Sequence, residues 1–215
     1  MENLILYKID KYIYKYNNNI KKMENSGKIN LILGPMYSGK TTELLRLYRR
    51  YFLAGKNCLL IKHKDDNRYD SEYIVTHDNQ KYKAINTLKL FDILTKTEVL
   101  KAEVLCIDEI QFYEDASEIC DLWANQGKIV IASGLNGDYK REPFEQISKL
   151  IPKIEKLTFL TAICTETGDE AVFSKRISNE TEVKVIGGSD KYIATSRKAF
   201  FSNQEFIQPT NIERI

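Results

Sequence analysis

A short apolar segment followed at once by a glycine-rich loop constrains the fold of this chain more than any other feature. Residues 28–42 read KINLILGPMYSGKTT, and the positions that fit the spacing G-x-x-x-x-G-K-[ST] are Gly34, Gly39, Lys40 and Thr41. In this pattern a strand leads into a loop whose backbone N–H groups surround phosphate oxygens. The loop then opens a helix whose first N–H groups are unpaired and carry partial positive charge. The stretch therefore predicts a phosphate-binding loop on an α/β fold.

Each residue type in the loop suits one part of a bound nucleotide. Glycine allows the backbone to approach the phosphates closely, and Lys40 is long enough to reach the β- and γ-phosphates. The Thr41 hydroxyl is the expected ligand of Mg²⁺. The residues predicted to bind ATP are Gly34, Met36, Tyr37, Ser38, Gly39, Lys40, Thr41 and Thr42. A chance match in an ordinary strand–turn–helix is the alternative, but the apolar segment before the loop and the helical pattern after it favour the nucleotide site.

Apolar segments and helical patterns alternate along the chain after the loop. From Lys40 to Leu53, apolar side chains recur at steps of three and four residues, and Gly55 then ends the predicted helix. Further strands are predicted at Cys58–Ile61, Val104–Ile107, Lys128–Ser133 and Ile154–Leu160. Further helices are predicted at Leu88–Thr95, Glu114–Asn125 (with Trp123 in the core) and from Pro143 to Leu150. This order predicts a doubly wound, mainly parallel sheet over residues 28–160.

Two acidic residues follow the most uniformly apolar of these strands. The segment Glu103–Tyr113 reads EVLCIDEIQFY, so Asp108 and Glu109 stand at the carboxyl end of Val104–Ile107. A carboxylate in this place helps to hold Mg²⁺ in phosphate-loop enzymes, and we assign that role to Asp108. Glu109 is the candidate general base. An Asp-Glu pair after a strand is common by itself, so these two assignments depend on the presence of the phosphate loop in the same chain.

Composition and charge narrow the function further. The chain has 215 residues, 43% of them apolar, which supports one main domain with a proper core. With 32 basic and 30 acidic residues the net charge is +2, which gives no indication of nucleic acid or membrane as a partner. The 4 cysteines include no C-x-x-C pair, and no apolar run reaches membrane-spanning length. We therefore expect a reducing, cytoplasmic location.

The regions flanking residues 28–160 have a different pattern. Residues 161–201 lack a long helical period but contain the strand-like runs AVFSKRI and EVKVIGG, which predict a small β-hairpin appendage. Residues 1–27 are expected to be a poorly ordered extension, with a targeting or partner-binding arm as the alternative. Residues 202–215 are expected to be a loosely held tail.

Several strings in this sequence together resemble the cellular and poxviral type of thymidine kinase, the type II family. They are GPMYSGKTTELLR, KDDNRY with THD, IDEIQFY, SGLNGDYKREPF and VKVIGGSDKY, in order through residues 28–201. A generic phosphate-loop ATPase has no reason to carry IGGSDKY after the fifth strand. The resemblance implies transfer of the ATP γ-phosphate to the 5′-hydroxyl of thymidine, with Mg²⁺, in pyrimidine deoxynucleotide salvage. It also implies a homotetramer, feedback inhibition by dTTP, and a "lasso" loop that closes over the base, with deoxyuridine as a further candidate substrate.

The resemblance also implies roles for particular residues. Glu109 matches the general base that accepts the proton of the 5′-hydroxyl, and Asp108 would order Mg²⁺ through water. Asp66 and Arg68 match the residues beside the transferred phosphate, where Arg68 would balance the developing charge. The Tyr139 ring would stack on thymine. The residues implied to bind the nucleoside are Met36, Phe112, Leu135, Tyr139, Ser174, Val183, Val185, Ile186, Gly187 and Tyr192.

The appendage departs from the family in its cysteines. The family usually carries four of them there, as two C-x-x-C pairs that hold structural zinc. Here the matching positions are Cys164, Thr167, Ser196 and Ala199. One thiolate cannot complete a tetrahedral site, so we expect no zinc. Packing alone is then expected to hold the appendage, through Phe173, Phe200 and Phe201.

Two further departures lie nearer the chemistry. Ile110 replaces the glycine usual after the Asp-Glu pair, and a β-branched residue does not easily adopt φ > 0 there. Asn136 replaces the aspartate usual in the L-D-G turn, which removes a charge. Together with the lost cysteines and the unusual amino-terminal segment, these changes leave a catalytically weak, nucleotide-binding regulatory relative as the alternative function. A phosphate-loop ATPase that acts on nucleic acid is a third hypothesis, which the near-neutral charge disfavours.

Overall fold

A sheet of six parallel strands is the frame of the protein. The computed structural model describes residues 27–66, 73–75, 81–178 and 191–202. The first eight strands are β1 (Lys28–Gly34), β2 (Cys58–His63), β3 (Tyr73–Val75), β4 (Lys81–Lys83), β5 (Ile85–Thr87), β6 (Val104–Ile107), β7 (Ile129–Leu135) and β8 (Lys156–Phe159). Six of them lie in the order β5-β2-β6-β7-β1-β8 with every pairing parallel, while β3 and β4 form a separate antiparallel pair. The predicted parallel α/β fold is confirmed.

Four helices accompany the sheet. They are α1 (Lys40–Leu53), α2 (Thr97–Lys101), α3 (Ala116–Asn125) and α4 (Glu145–Leu150). The helix predicted over Leu88–Thr95 is wrong, because only the short 3₁₀ turn Leu90–Ile93 forms there, directly after the unpredicted strand β5. The Asp115 carboxylate accepts the N–H groups of Leu90 and Phe91 at 3.1 and 2.8 Å and so fixes the start of this turn from outside. Pro143 precedes α4 rather than opening it, since Phe144 is still extended.

Apolar side chains cover both faces of the sheet. Leu31 and Leu105 pack in one core cluster, which lies beneath α3 and includes Trp123, while Ile32 and Cys106 pack in a second cluster with α1. Neighbouring residues of one strand therefore point into different clusters, which is the alternation expected of a buried strand. Trp123 is fully buried, which confirms its predicted place in the core. Among the helices that the structure describes, none combines the length and the apolar character that crossing a membrane requires.

The parallel register brings the polar ends of four strands to one edge of the sheet. The phosphate loop follows β1, Asp66 lies shortly after β2, and Asp108 and Glu109 follow β6. Leu135 ends β7, the strand between β6 and β1. Ligands of α/β sheets bind at the carboxyl ends of the strands, so this edge is where a site is expected.

The carboxyl-terminal part of the described chain is built from two short antiparallel pairs. Strand β9 (Ala162–Ile163) pairs with β10 (Glu170–Ala171), and β11 (Phe173–Arg176) pairs with β12 (Tyr192–Thr195), which leads into the short helix α5 (Arg197–Phe201). The predicted strand-like run AVFSKRI contains β11. The other run, EVKVIGG, lies outside the described residues, as do residues 1–26 and 203–215 of the terminal segments predicted to be loosely ordered.

Two hydroxyl groups lie at positions where the resemblance implies zinc-binding cysteines. The Thr167 and Ser196 hydroxyl oxygens lie 3.0 Å apart in a hydrogen bond, and Ser196 Oγ also accepts the Ala199 N–H at 3.3 Å. Cys164 is 1% exposed and lies in a small apolar cluster with Ala199. One thiol, two hydroxyls and a methyl group offer a single ordinary zinc ligand, so these residues do not fit a structural zinc ion.

Aromatic rings and one arginine add to this hydrogen-bonded arrangement. The Phe200 ring centroid lies 5.4 Å from that of Phe173 and 5.3 Å from that of Phe201. The Arg141 guanidinium, from the loop after β7, lies 4.5 Å from the Phe201 ring centroid and also over the other two rings. Cation–π contacts of this kind contribute on the order of 1 kcal/mol. The expectation that packing alone holds the appendage is therefore wrong, because hydrogen bonds and the cation–π contacts of Arg141 also take part.

The Cys164 thiol provides a pH-dependent test of this arrangement. Burial would raise its pKa, but hydrogen bonds from the Thr167 hydroxyl and from the backbone at Ser196, Thr167 and Glu166 lower the pKa to about 6, against 9.0 for an unperturbed thiol. Because the folded value is the lower one, the ionised thiol stabilises the fold fully above about pH 9. That stabilisation is lost as the pH falls to about 6.

We therefore expect the free energy of unfolding to rise more steeply between pH 6 and pH 9 in the wild type than in Cys164→Ala. Urea unfolding followed by circular dichroism measures both curves. Cys120→Ala is the matched control, since burial raises the pKa of that thiol well above this window and its loss should leave the slope unchanged. Parallel curves for the wild type and Cys164→Ala would contradict the assignment.

Candidate active site

The loop between β1 and α1 has the backbone shape that phosphate binding requires. A Cβ atom at Gly34 would collide with the Leu160 carbonyl oxygen and lie 2.6 Å from Ser38 Oγ, so only glycine fits at the end of β1. Gly39 has φ +82°, in the left-handed region that favours glycine, and it lies immediately before the first residue of α1. The loop thus favours glycine at both ends: at Gly34 because a side chain would collide with neighbouring atoms, and at Gly39 because its φ is positive.

Lys40 lies across this loop rather than pointing into solvent. Its Nζ donates a hydrogen bond to the Pro35 carbonyl oxygen at 2.6 Å, and Ser38 Oγ donates to the same oxygen at 2.9 Å. The side chain is buried, although it carries a charge at neutral pH. An ammonium group held here stands over the loop in which phosphates would lie.

The Asp108 carboxylate joins three strand ends. Its Oδ2 accepts the Thr41 hydroxyl at 3.0 Å, and its Oδ1 accepts the Ser133 hydroxyl at 2.5 Å and the Glu109 N–H at 3.1 Å. The phosphate loop, β6 and β7 therefore meet at one buried carboxylate. Ser133 was not predicted as a site residue. The sequence marks it only as the hydroxyl residue that ends the run KIVIAS.

The Thr41 and Asp108 side chains could hold a magnesium ion. A hydroxyl and a carboxylate are the hard oxygen ligands that Mg²⁺ takes, and they are adjacent at the amino end of α1. No group of three or more His, Cys, Asp or Glu side chains suited to a metal ion occurs within the described ranges. A bound Mg²⁺ would thus draw further ligands from water and from nucleotide phosphates, as Mg²⁺ commonly does.

Glu109 has an unusual backbone conformation. Its φ and ψ are 52° and 48°, in the left-handed region, and its side chain is 8% exposed. Ile110 belongs instead to the 3₁₀ turn Ile110–Phe112, so the expectation that position 110 would need φ > 0 is wrong. The Ile110 side chain is buried against Gly134, where an added Cβ would lie 2.7 Å from Ile110 Cγ2. The strain falls on the candidate base, and strained residues of this kind cluster at functional sites.

Gln111 holds the Glu109 carboxylate from the side. Its Nε2 donates to Glu109 Oε2 at 2.5 Å, while its Oε1 accepts the Leu135 N–H at 3.1 Å. Sequence reasoning missed this residue. A glutamine within EIQFY could equally have faced solvent, and only the turn after Glu109 directs it inward.

Asp66 lies close to this network, whereas Arg68 lies outside the described residues. The Asp66 N–H donates to the His63 carbonyl oxygen at 3.0 Å, and its side chain is buried. Burial raises the pKa of the Tyr113 phenol, and the nearby carboxylates of Asp108, Asp115 and Asp66 add to that effect. Asp66 and Asp108 therefore both lie near this buried ring.

The predicted nucleoside-binding residues are drawn together from both parts of the chain. The Met36 N–H donates to Ser174 Oγ at 3.0 Å, and the Tyr37 hydroxyl donates to the Tyr192 carbonyl oxygen at 3.2 Å. These bonds join the phosphate loop to β11 and β12. Phe112 is half-buried, with its ring centroid 5.6 Å from that of His63. The predicted residues Val183, Val185, Ile186 and Gly187 lie outside the described residues.

Arg176 covers one face of the Tyr139 ring. Its guanidinium carbon lies 3.8 Å from the ring centroid, and its Nη2 donates to the Tyr192 hydroxyl at 2.5 Å. A base that stacks on Tyr139 would therefore use the opposite face of the ring. Arg176 was not predicted, because an arginine in a short strand carries no sequence signal for this contact.

Comparison with known proteins agrees with the geometry. A family model described as thymidine kinase matches residues 27–200. The thymidine kinase of vaccinia virus, strain Western Reserve, is 45% identical over 179 residues, which cover 83% of this chain and 99% of the relative. The thymidine kinase of raccoon poxvirus is 46% identical, and the match covers 83% of this chain and 99% of the relative. That of myxoma virus is 45% identical, and the match covers 81% of this chain and 97% of the relative. The chain belongs to the thymidine kinase family.

Proposed function

We propose that this chain transfers the γ-phosphate of ATP to the 5′-hydroxyl of thymidine to give dTMP. Membership of the family and the named activity of its relatives support the reaction. The observation that supports the assignment of the site best is the hydrogen-bonded path from Thr41 through Asp108 to Glu109. This path links the proposed phosphate loop to the candidate base.

ATP would bind with its phosphates in the loop from Gly34 to Thr42. Backbone N–H groups of the loop and the amino end of α1 would surround the phosphate oxygens. Lys40 would exchange the Pro35 carbonyl for oxygens of the β- and γ-phosphates, a stronger charge-assisted contact. Thr41 and Asp108 would hold Mg²⁺, which when bound neutralises charge on the phosphates.

Glu109 would accept the proton of the thymidine 5′-hydroxyl. Its carboxylate is almost fully buried and held in place, so it can be aimed at one hydroxyl. Arg68 would balance charge on the transferred phosphoryl group, with Asp66 beside it. Catalysis then depends mainly on positioning and charge neutralisation, as in other phosphoryl transfers.

The nucleoside would lie between the phosphate loop and β11–β12. Met36, Phe112, Leu135 and Tyr139 would contact the base, with Ser174 and Tyr192 nearby. Residues 183, 185, 186 and 187 would complete the site from the lasso. Deoxyuridine lacks only the 5-methyl group, so we propose it as a poorer substrate, since one methyl group in an apolar pocket changes kcat/KM by roughly 10- to 200-fold.

Four finer properties belong to the same proposal. We propose dTTP as the feedback inhibitor, because one molecule carries both the thymine and the phosphates that the two subsites bind. A homotetramer is consistent with the half-exposed Leu157 and Phe159 on the edge strand β8. All four cysteines are unpaired, which suits a reducing cytoplasm. Nucleic acid and membranes are not proposed as partners.

The alternative of a weak regulatory relative gains no support. One premise was strain at Ile110, yet the left-handed conformation lies at Glu109 instead. Asn136, another premise, donates from Nδ2 to the Val172 carbonyl oxygen at 3.2 Å and so takes a structural role.

Substrate choice gives the first test. In a coupled assay of ATP turnover, we expect thymidine to give the highest kcat/KM, deoxyuridine a lower one, and deoxycytidine and deoxyguanosine none. Added dTTP should inhibit. Folded protein that binds ATP but turns over with none of these nucleosides would refute the proposed reaction.

Glu109→Gln tests the general base. The amide has the same shape and can still accept the Gln111 hydrogen bond, but it cannot take a proton. We expect kcat to fall by roughly 10²- to 10⁴-fold, with ATP affinity by calorimetry unchanged. Turnover near that of the wild type would show that Glu109 is not the base.

Lys40→Ala tests the phosphate site. Loss of the ammonium should lower kcat/KM for ATP by on the order of 10²-fold or more, since a charged contact to the phosphates is removed. The matched control is Lys56→Ala, at the amino ends of the strands, where the lysine pairs with Glu103 at 2.6 Å. This substitution should leave activity unchanged. An unaltered rate in Lys40→Ala would overturn the assignment of the loop.

A further inference from the structure

We propose that Gln111 is a positioning residue that fixes the Glu109 carboxylate relative to the wall of the nucleoside site at Leu135. The inference rests on the proposed function of Glu109 as the base. Its starting point is that the two ends of one buried amide contact two parts of the site. Gln111 itself is 3% exposed, so its amide lies inside the site rather than in solvent.

The orientation of the Gln111 amide is determined by its two partners. A carboxylate oxygen can only accept, and the Leu135 N–H can only donate, so Nε2 must face Glu109 and Oε1 must face Leu135. Turning the amide over would place oxygen against the carboxylate and NH₂ against N–H. One arrangement is therefore strongly preferred, and it commits Glu109 Oε2 to a single direction.

Gly134 provides independent support, because its missing side chain leaves room for this amide. A Cβ atom at Gly134 would lie 2.6 Å from Gln111 Oε1. The glycine therefore lets the glutamine reach the backbone of β7. Since Leu135 is the next residue, the same strand end holds Gln111 and contributes to the proposed base pocket.

The contact has a chemical consequence for Glu109. The hydrogen bond from the Gln111 amide to Oε2 restricts rotation of the Glu109 carboxylate, so the carboxylate keeps one direction in which it can accept the substrate proton. The backbone of Glu109 is already fixed by the bond from its N–H to Asp108 Oδ1. With the side chain fixed as well, the base needs little reorganisation before proton transfer.

Gln111→Met tests this inference, since methionine has a similar length but no hydrogen bonds. We expect kcat with thymidine to fall by about 10- to 100-fold while KM for thymidine and for ATP changes less than about threefold. In the Glu109→Gln background, Gln111→Met should cause no further loss.

A second variant keeps the test valid where Gln111→Met unfolds. Gln111→Glu retains an oxygen for the Leu135 N–H and replaces only the donor that faces Glu109. An ionised carboxylate has no hydrogen to donate to Glu109, so kcat should again fall while KM for thymidine and for ATP changes little. Gln146→Met is the matched control, because it removes a bond to the Ser117 N–H on α3 and should lower stability without changing kcat.

The outcomes separate the inference from the proposed function. Turnover that survives Glu109→Gln removes the base assignment and this inference together. Loss of turnover in Glu109→Gln, with an unchanged kcat in both Gln111 variants, overturns the inference alone. A loss of kcat in Gln111→Met that persists in full in the Glu109→Gln background would assign Gln111 a purely structural role and would also overturn the inference.

Discussion

The site depends on one buried carboxylate that accepts hydrogen bonds from three separate segments. Asp108 binds the Thr41 hydroxyl from α1, the Ser133 hydroxyl from β7 and the Glu109 N–H that begins the next turn. Losing one of these donors leaves part of a buried carboxylate without its hydrogen bond, which is costly, so the three segments are held in a fixed relation. The phosphate loop and the candidate base keep their separation because both are tied to this residue.

The parallel sheet explains why much of this arrangement could be predicted from the sequence. Parallel strands end at the same edge, so a phosphate loop after β1 and an acidic pair after β6 had to lie near each other once both strands were identified. The buried strands are recognisable because they are apolar on both faces. The helices α1 and α3 are recognisable from their periodicity, whereas β5 is only three residues long and gives no comparable pattern.

Contacts made by polar side chains after a strand end could not be predicted in the same way. Gln111 and Ser133 are directed inward by the turn that begins at Glu109 and by the register of β7, and neither is encoded by residue type alone. The position of the left-handed residue was misjudged for a related reason. Isoleucine in place of glycine at position 110 suggested strain there, but the positive φ of this turn lies one residue earlier, at Glu109.

The appendage is joined to the phosphate site by bonds that do not require a metal ion. The Met36 N–H binds Ser174 Oγ, Asn136 binds the Val172 carbonyl, and Arg141 packs over the aromatic rings of the appendage. Two of these three contacts begin in the loop after β7, and the third begins in the phosphate loop itself. A displacement of β11 must therefore either break a hydrogen bond of the phosphate loop or carry the loop with it. The hydroxyl groups of Thr167 and Ser196 help to hold the appendage together internally, whereas this mechanical link to the candidate nucleotide site is made by other residues.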